Sequence, residues 1–97
     1  SGESMKKIVT VCGMGIGTSV LFKMNLEKVV KQRGLEATVI ASDIDSVPHK
    51  AEDADVILTS AEFEPRLTGL PAQVIVISNF FDLDEIDDKL ADLLGEE

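Results

Sequence analysis

Tryptophan and tyrosine are absent from this 97-residue chain, cysteine and histidine occur once each, and proline occurs three times. Each shortage narrows what the chain can do. Without indole or phenol rings, a platform for stacking bases or sugar rings would rest on four phenylalanines, which argues against a nucleic-acid or carbohydrate-binding module. One cysteine closes no internal disulfide and supplies no dithiol pair, so a reducing, cytoplasmic setting is expected. The lone His49 follows Pro48 with no second ligand near it in sequence; it reads as a surface residue, and neither a metal nor a cofactor is expected. No apolar run approaches the ~18 residues of a membrane span and no signal peptide is evident, so direct membrane insertion is not expected. Ser1 to Ser4 precede Met5 and read as an expression scar, leaving residues 5–97 as one domain.

Basic charge is also scarce. Nine Lys/Arg face eighteen Asp/Glu, for a net charge of −9. The imbalance is local: residues 1–42 hold six Lys/Arg against three acids, and residues 43–97 hold three against fifteen. So acidic a second half disfavours nucleic acid and anionic membranes and mainly solubilises the surface. A hydrophobic share of 44% with 28% charged residues suits one globular domain with a modest core.

Strand-like and helix-like segments alternate. Residues 7–12 are an apolar strand. Residues 19–33 carry helical spacing at Phe22, Leu26, Val29 and Val30, with Gly34 as the C-terminal cap. Strands follow at 37–41, 55–59 and 74–77, separated by a helical turn over 45–52 and a short helix or turn over 62–67. The last helix opens with Asp82 and Glu85 spaced as a capping box and repeats Leu83, Ile86, Leu90, Leu93 and Leu94 along one face. Four short apolar strands alternating with helices predict an α/β fold. It should be a small open four-stranded parallel sheet of order 2-1-3-4, with helices on both faces, of the flavodoxin-like, phosphatase-loop type. Ligands of such sheets lie beyond the carboxyl ends of the strands. That edge gathers Cys12, Ser42, Asp43, Ser60, Glu62 and Asn79.

The chemistry concentrates in Cys12-Gly13-Met14-Gly15-Ile16-Gly17-Thr18-Ser19. A strand delivers a thiol to a glycine-rich loop that opens a helix, where free amides and the helix dipole favour negative charge. A nucleotide P-loop would need a lysine after Gly17, and a dinucleotide site a third glycine where Thr18 stands. A cysteine phosphate loop fits better: the thiolate attacks phosphorus, loop amides bind the oxygens, and Thr18 or Ser19 adds hydroxyl donors. Two enzymatic readings then compete. A low-molecular-weight phosphatase needs a loop arginine, replaced here by Thr18, and an acid, for which Asp82 is the candidate although it also suits an N-cap. A phosphoryl carrier needs neither. The third possibility is a cysteine that simply packs in the core. Met14, Ile16 and Leu21 fit either the core or an exposed docking patch around the thiol, and Lys23 fits a solvated lysine.

Val11-Cys12-Gly13-Met14-Gly15-Ile16-Gly17-Thr18-Ser19, followed by Lys23-Met24-Asn25-Leu26-Glu27-Lys28-Val29, resembles the enzyme IIB components of the bacterial phosphoenolpyruvate-dependent sugar phosphotransferase system. Within the lactose/ascorbate/galactitol-like group the chain is most similar to the ascorbate-type branch. The resemblance implies a four-stranded parallel sheet and a cytoplasmic phosphotransferase subunit. It implies that Cys12 accepts a phosphoryl group from a phosphohistidine of the IIA protein. Gly13, Met14, Gly15, Ile16, Gly17, Thr18 and Ser19 would cradle that group. The sugar, ascorbate on this branch, would be met only through the membrane component IIC.

Overall fold

Five residues in a row, Lys7–Val11, form the first strand (β1), and four of them are buried. A strand buried on both faces belongs in the middle of a sheet. The computed structural model, which describes residues 7–12 and 16–94 and the side chains of 7–12 and 20–92, places it there. β1 pairs in parallel with β2 (Thr38–Ser42) on one side and β3 (Val56–Thr59) on the other, and β3 pairs in parallel with β4 (Gln73–Val76). The order is β2-β1-β3-β4, as the alternation of segments predicts.

Alternate residues of β1 point to opposite faces. Ile8 and Cys12 join Val39, Val56 and Leu58 under helices α1 (Ile16–Gln32) and α3 (Leu83–Leu94), which contribute Phe22, Leu26, Val29, Ile86 and Leu90. Val9 and Val11 face the other side with Ile57, beneath α2 (Val47–Lys50) and the 3-10 turn Glu64–Arg66, whose neighbours Val47, Ala51 and Leu67 complete a second core. Full burial of each large aliphatic side chain stabilises the fold by about 1.5–3 kcal/mol before entropy is counted.

The spacing of Phe22, Leu26, Val29 and Val30 is that of one helical face, and all four are buried. α1 closes where Gly34 adopts φ +72°. The Gly34 amide donates to the Lys31 carbonyl and the Leu35 amide to the Val30 carbonyl, both at 3.0 Å. That is the paired-bond cap a left-handed glycine makes possible. Arg33 then ties this end to α3, its Nε 2.6 Å from Asp87 Oδ1.

Two expectations change. α1 begins at Ile16 rather than Ser19, so Gly17, Thr18 and Ser19 are first-turn helix residues and not loop. The capping box is only half formed. Asp82 Oδ1 accepts the Asp84 and Glu85 amides at 3.0 and 3.2 Å, but the Glu85 carboxylate does not return to Asp82. It accepts the Ser78 and Asn79 amides at 2.7 and 2.9 Å instead. The turn after β4 presents two free amides within its reach, and a carboxylate with two oxygens satisfies both.

Candidate functional site

Parallel strands all end at the same edge, and the register shows which residues arrive there together. Val11 lies opposite Ser42 on one side and Thr59 on the other, and Thr59 lies opposite Val76. Cys12, Asp43, Ser60 and Ile77 are therefore the first residues beyond the sheet, at the end where α1 begins. α1 starts four residues after Cys12, so the thiol and the unpaired amides of the helix's first turn belong to one short segment. Gly13, Met14 and Gly15 lie outside the described residues. For Ile16, Gly17, Thr18 and Ser19 the helical backbone is described.

Cys12 is 6% exposed and packs in the core cluster with Ile8 and Phe22. The end of β1 is held from β3: the Thr59 hydroxyl, fully buried, donates to the Val11 carbonyl at 3.1 Å. Nothing in the sequence marks Thr59, because a threonine closing an apolar strand looks like any strand residue.

The other residues of this edge are occupied with turns. The Ser42 hydroxyl donates to the Asp43 carbonyl at 2.8 Å, and Asp43 Oδ1 accepts the Ser46 amide at 2.8 Å. Ser46, through its hydroxyl and its amide, holds the Asp43 carboxyl below the usual range, with help from the Lys50 charge and against a smaller desolvation cost. Asn79 Oδ1 accepts the Phe81 amide at 2.9 Å. Glu62 is exposed and Ser60 half-buried. Burial works against ionisation of Glu85, yet the Ser78 and Asn79 amides and Lys89 outweigh it and hold its carboxyl below the ordinary range. Asp82, the candidate acid for hydrolysis, is spent on capping α3. His49 is exposed on α2 and Lys23 half-buried on α1.

The turn carrying Asn79 is fastened to α1. Phe80 stacks on Phe22 with ring centroids 4.0 Å apart, and Asn25 Nδ2 donates to the Phe80 carbonyl at 3.0 Å. This places Phe81, 58% exposed, beside the half of α1 that bears Val20, Leu21 and Met24, each at least 45% exposed. Those four are the exposed large hydrophobic residues among the described ones. Leu21 thus belongs to the surface and not the core.

No described helix is long and apolar enough to cross a membrane. Residues 7–92 match the family model for the "PTS system, Lactose/Cellobiose specific IIB subunit". The chain is 33% identical over 91 residues to the ascorbate-specific PTS system EIIB component of Mycoplasma pneumoniae, covering 90% of this chain and 93% of that protein. It is 30% identical over 95 residues to the mannitol-specific EIICB component of Bacillus subtilis, covering 96% of this chain and 19% of that much longer protein. The lactose-specific IIB component domain of Streptococcus pneumoniae superposes with a TM-score of 0.71 at 13% identity, covering 96% of this chain and 98% of that one, and shares the fold.

Proposed function

We propose that Cys12 is the phosphoryl carrier of this chain, starting from the fact that the chain belongs to the lactose/cellobiose-type IIB subunit family of the sugar phosphotransferase system. A member of that family is a sugar-phosphotransferase subunit. The observation that carries the proposal is the position of the thiol: Cys12 leaves the central strand at the carboxyl edge of the sheet, four residues before the start of α1.

The thiolate of Cys12 attacks phosphorus on a phosphohistidine of the IIA protein. The P–S bond forms as the P–N bond breaks, and the histidine nitrogen keeps the electron pair. Amides of Gly13 to Ser19, with the hydroxyls of Thr18 and Ser19, receive the phosphoryl oxygens, and the helix dipole favours the added charge. In the second transfer a hydroxyl of the sugar, bound by the membrane component IIC, attacks the same phosphorus. Sulfur leaves as thiolate, and the hydroxyl proton passes to a base of the transporter. Sγ must reach the donor's phosphorus in the first transfer, and the phosphorus it then carries must be open to the sugar hydroxyl in the second, so the reacting states expose more of Cys12 than the 6% seen here. The apolar surface of Val20, Leu21, Met24 and Phe81 flanks this end of the molecule and supports docking of those partners. The ascorbate-specific relative makes ascorbate the sugar we assign, and the work of the subunit would lie on the cytoplasmic side of the membrane.

The hydrolase alternative finds no support in the family, the loop has no arginine, and Asp82 already has a structural task. A carrier and a hydrolase differ in the fate of the phosphoryl group once it is on sulfur. Mixed with the phosphorylated IIA protein of an ascorbate-type system, this chain should gain the mass of one phosphoryl group and keep it until an acceptor is added. Immediate release of inorganic phosphate, with no phosphoprotein accumulating, would overturn the proposal.

A further inference from the structure

Val56, Ile57 and Leu58 make the interior of β3 wholly apolar, and a valine at the next position would continue the pattern with nearly the same shape. Thr59 stands there instead, with none of its surface exposed. A buried hydroxyl is costly unless bonded. No buried side-chain polar atom among the described residues lacks a partner, and the Thr59 hydroxyl takes the Val11 carbonyl at 3.1 Å, across the β1–β3 register in which Val11 and Thr59 are opposite. That carbonyl belongs to the peptide unit joining Val11 to Cys12.

We propose that Thr59 is a positioning residue for Cys12, acting through the Val11–Cys12 peptide plane; the inference rests on Cys12 being the phosphoryl carrier. A peptide unit is rigid, with its carbonyl and its N–H pointing in opposite directions. Tethering the Val11 oxygen towards β3 directs the Cys12 amide away from β3. It also fixes the orientation in which Cα of Cys12 leaves the sheet. In-line transfer depends steeply on the position of the attacking atom. The last strand residue before the nucleophile is where a single hydrogen bond has most leverage on it. Val11 is the last residue of β1 paired on both sides, opposite Ser42 and Thr59, so the hydroxyl adds a side-chain tether to the ladder at the peptide where strand pairing stops. Thr59 itself touches neither phosphorus nor partner.

The test is single-turnover phosphoryl uptake from phosphorylated IIA of an ascorbate-type system, measured by rapid quench on Thr59→Val, Thr59→Ala and Thr59→Ser. Loss of the hydroxyl in the valine or alanine variant should slow the rate at saturating donor by about tenfold, with the half-saturating donor concentration unchanged. Serine, which keeps the hydroxyl, should restore the rate to within about twofold. Rates are taken per folded molecule, from circular dichroism and thermal unfolding of each variant, and alanine serves where valine does not fold. A wild-type rate per folded molecule in the variants lacking the hydroxyl, or a rise only in the half-saturating concentration, would overturn the proposal. Uptake persisting in Cys12→Ser would remove the carrier reading itself. Uptake that requires Cys12 but ignores Thr59 would remove the positioning role alone.

Discussion

A buried cysteine in an apolar cluster is ordinarily inert, and Cys12 is 6% exposed beside Ile8 and Phe22. Its surroundings support the proposed carrier role: it stands at the mouth of a parallel sheet, with a helix start just beyond it and a tethered carbonyl just before it. Asp82 is the opposite case, a residue whose chemistry suggests catalysis and whose bonds assign it to structure. Its Oδ1 accepts two first-turn amides of α3. Replacing it by alanine should cost about 1 kcal/mol of stability in urea unfolding, as loss of an N-cap does. The same variant should take up phosphoryl groups at the wild-type rate. A normal stability with abolished transfer would return Asp82 to the candidate acids.

At the scale of elements, the turn between β4 and α3 is organised by one carboxylate. Glu85 gathers the Ser78 and Asn79 amides and lies 3.2 Å from Lys89 Nζ. Because its folded pKa lies below the ordinary 4.5, its contribution to stability is complete above that value. The contribution is lost as pH falls through the lowered folded value. Wild type should therefore exceed Glu85→Gln by about 1 kcal/mol at neutral pH. The gap should close in acid, read as the difference in urea midpoints across a pH series. A gap independent of pH would show that the charge has no part in it. This bond also marks how far sequence reasoning reaches. The spacing of Asp82 and Glu85 announced the helix start, because capping by Asp82 is local. The destination of Glu85 was not readable, since the amides it binds lie in a turn whose path depends on packing. Helix α1 shows the same division. Its buried face and its Gly34 terminus come from spacing and from glycine's access to positive φ. Its start is not legible in the spacing, because Gly17 resembles loop while the helix begins at Ile16. The sheet edge was anticipated from topology, yet Ser42, Asp43 and Asn79 proved to be turn-makers, and Thr59 was hidden within an apolar strand.

Charge is uneven along the chain, and the fold sets the two portions side by side, as the pairs Lys7–Asp53 and Arg33–Asp87 show. The half that carries the thiol and α1 has an excess of basic residues, and the other half holds fifteen acids against three bases. The exposed apolar side chains Val20, Leu21 and Met24 lie on α1 and Phe81 lies in the turn fastened to it, so the proposed docking surface and the proposed phosphoryl site share one end. An acidic excess of this kind favours solubility and disfavours contact with polyanions. In the proposed mechanism this IIB domain supplies one nucleophile, Cys12, and no acid or base of its own. That claim is tested most directly by intact-mass measurement of the wild-type chain and of Cys12→Ser after incubation with phosphorylated IIA. One added phosphoryl group is expected on the wild type, mapped to the peptide containing Cys12, and none on the serine variant. A phosphoryl group of equal occupancy on Cys12→Ser, or one mapped to His49, would contradict it.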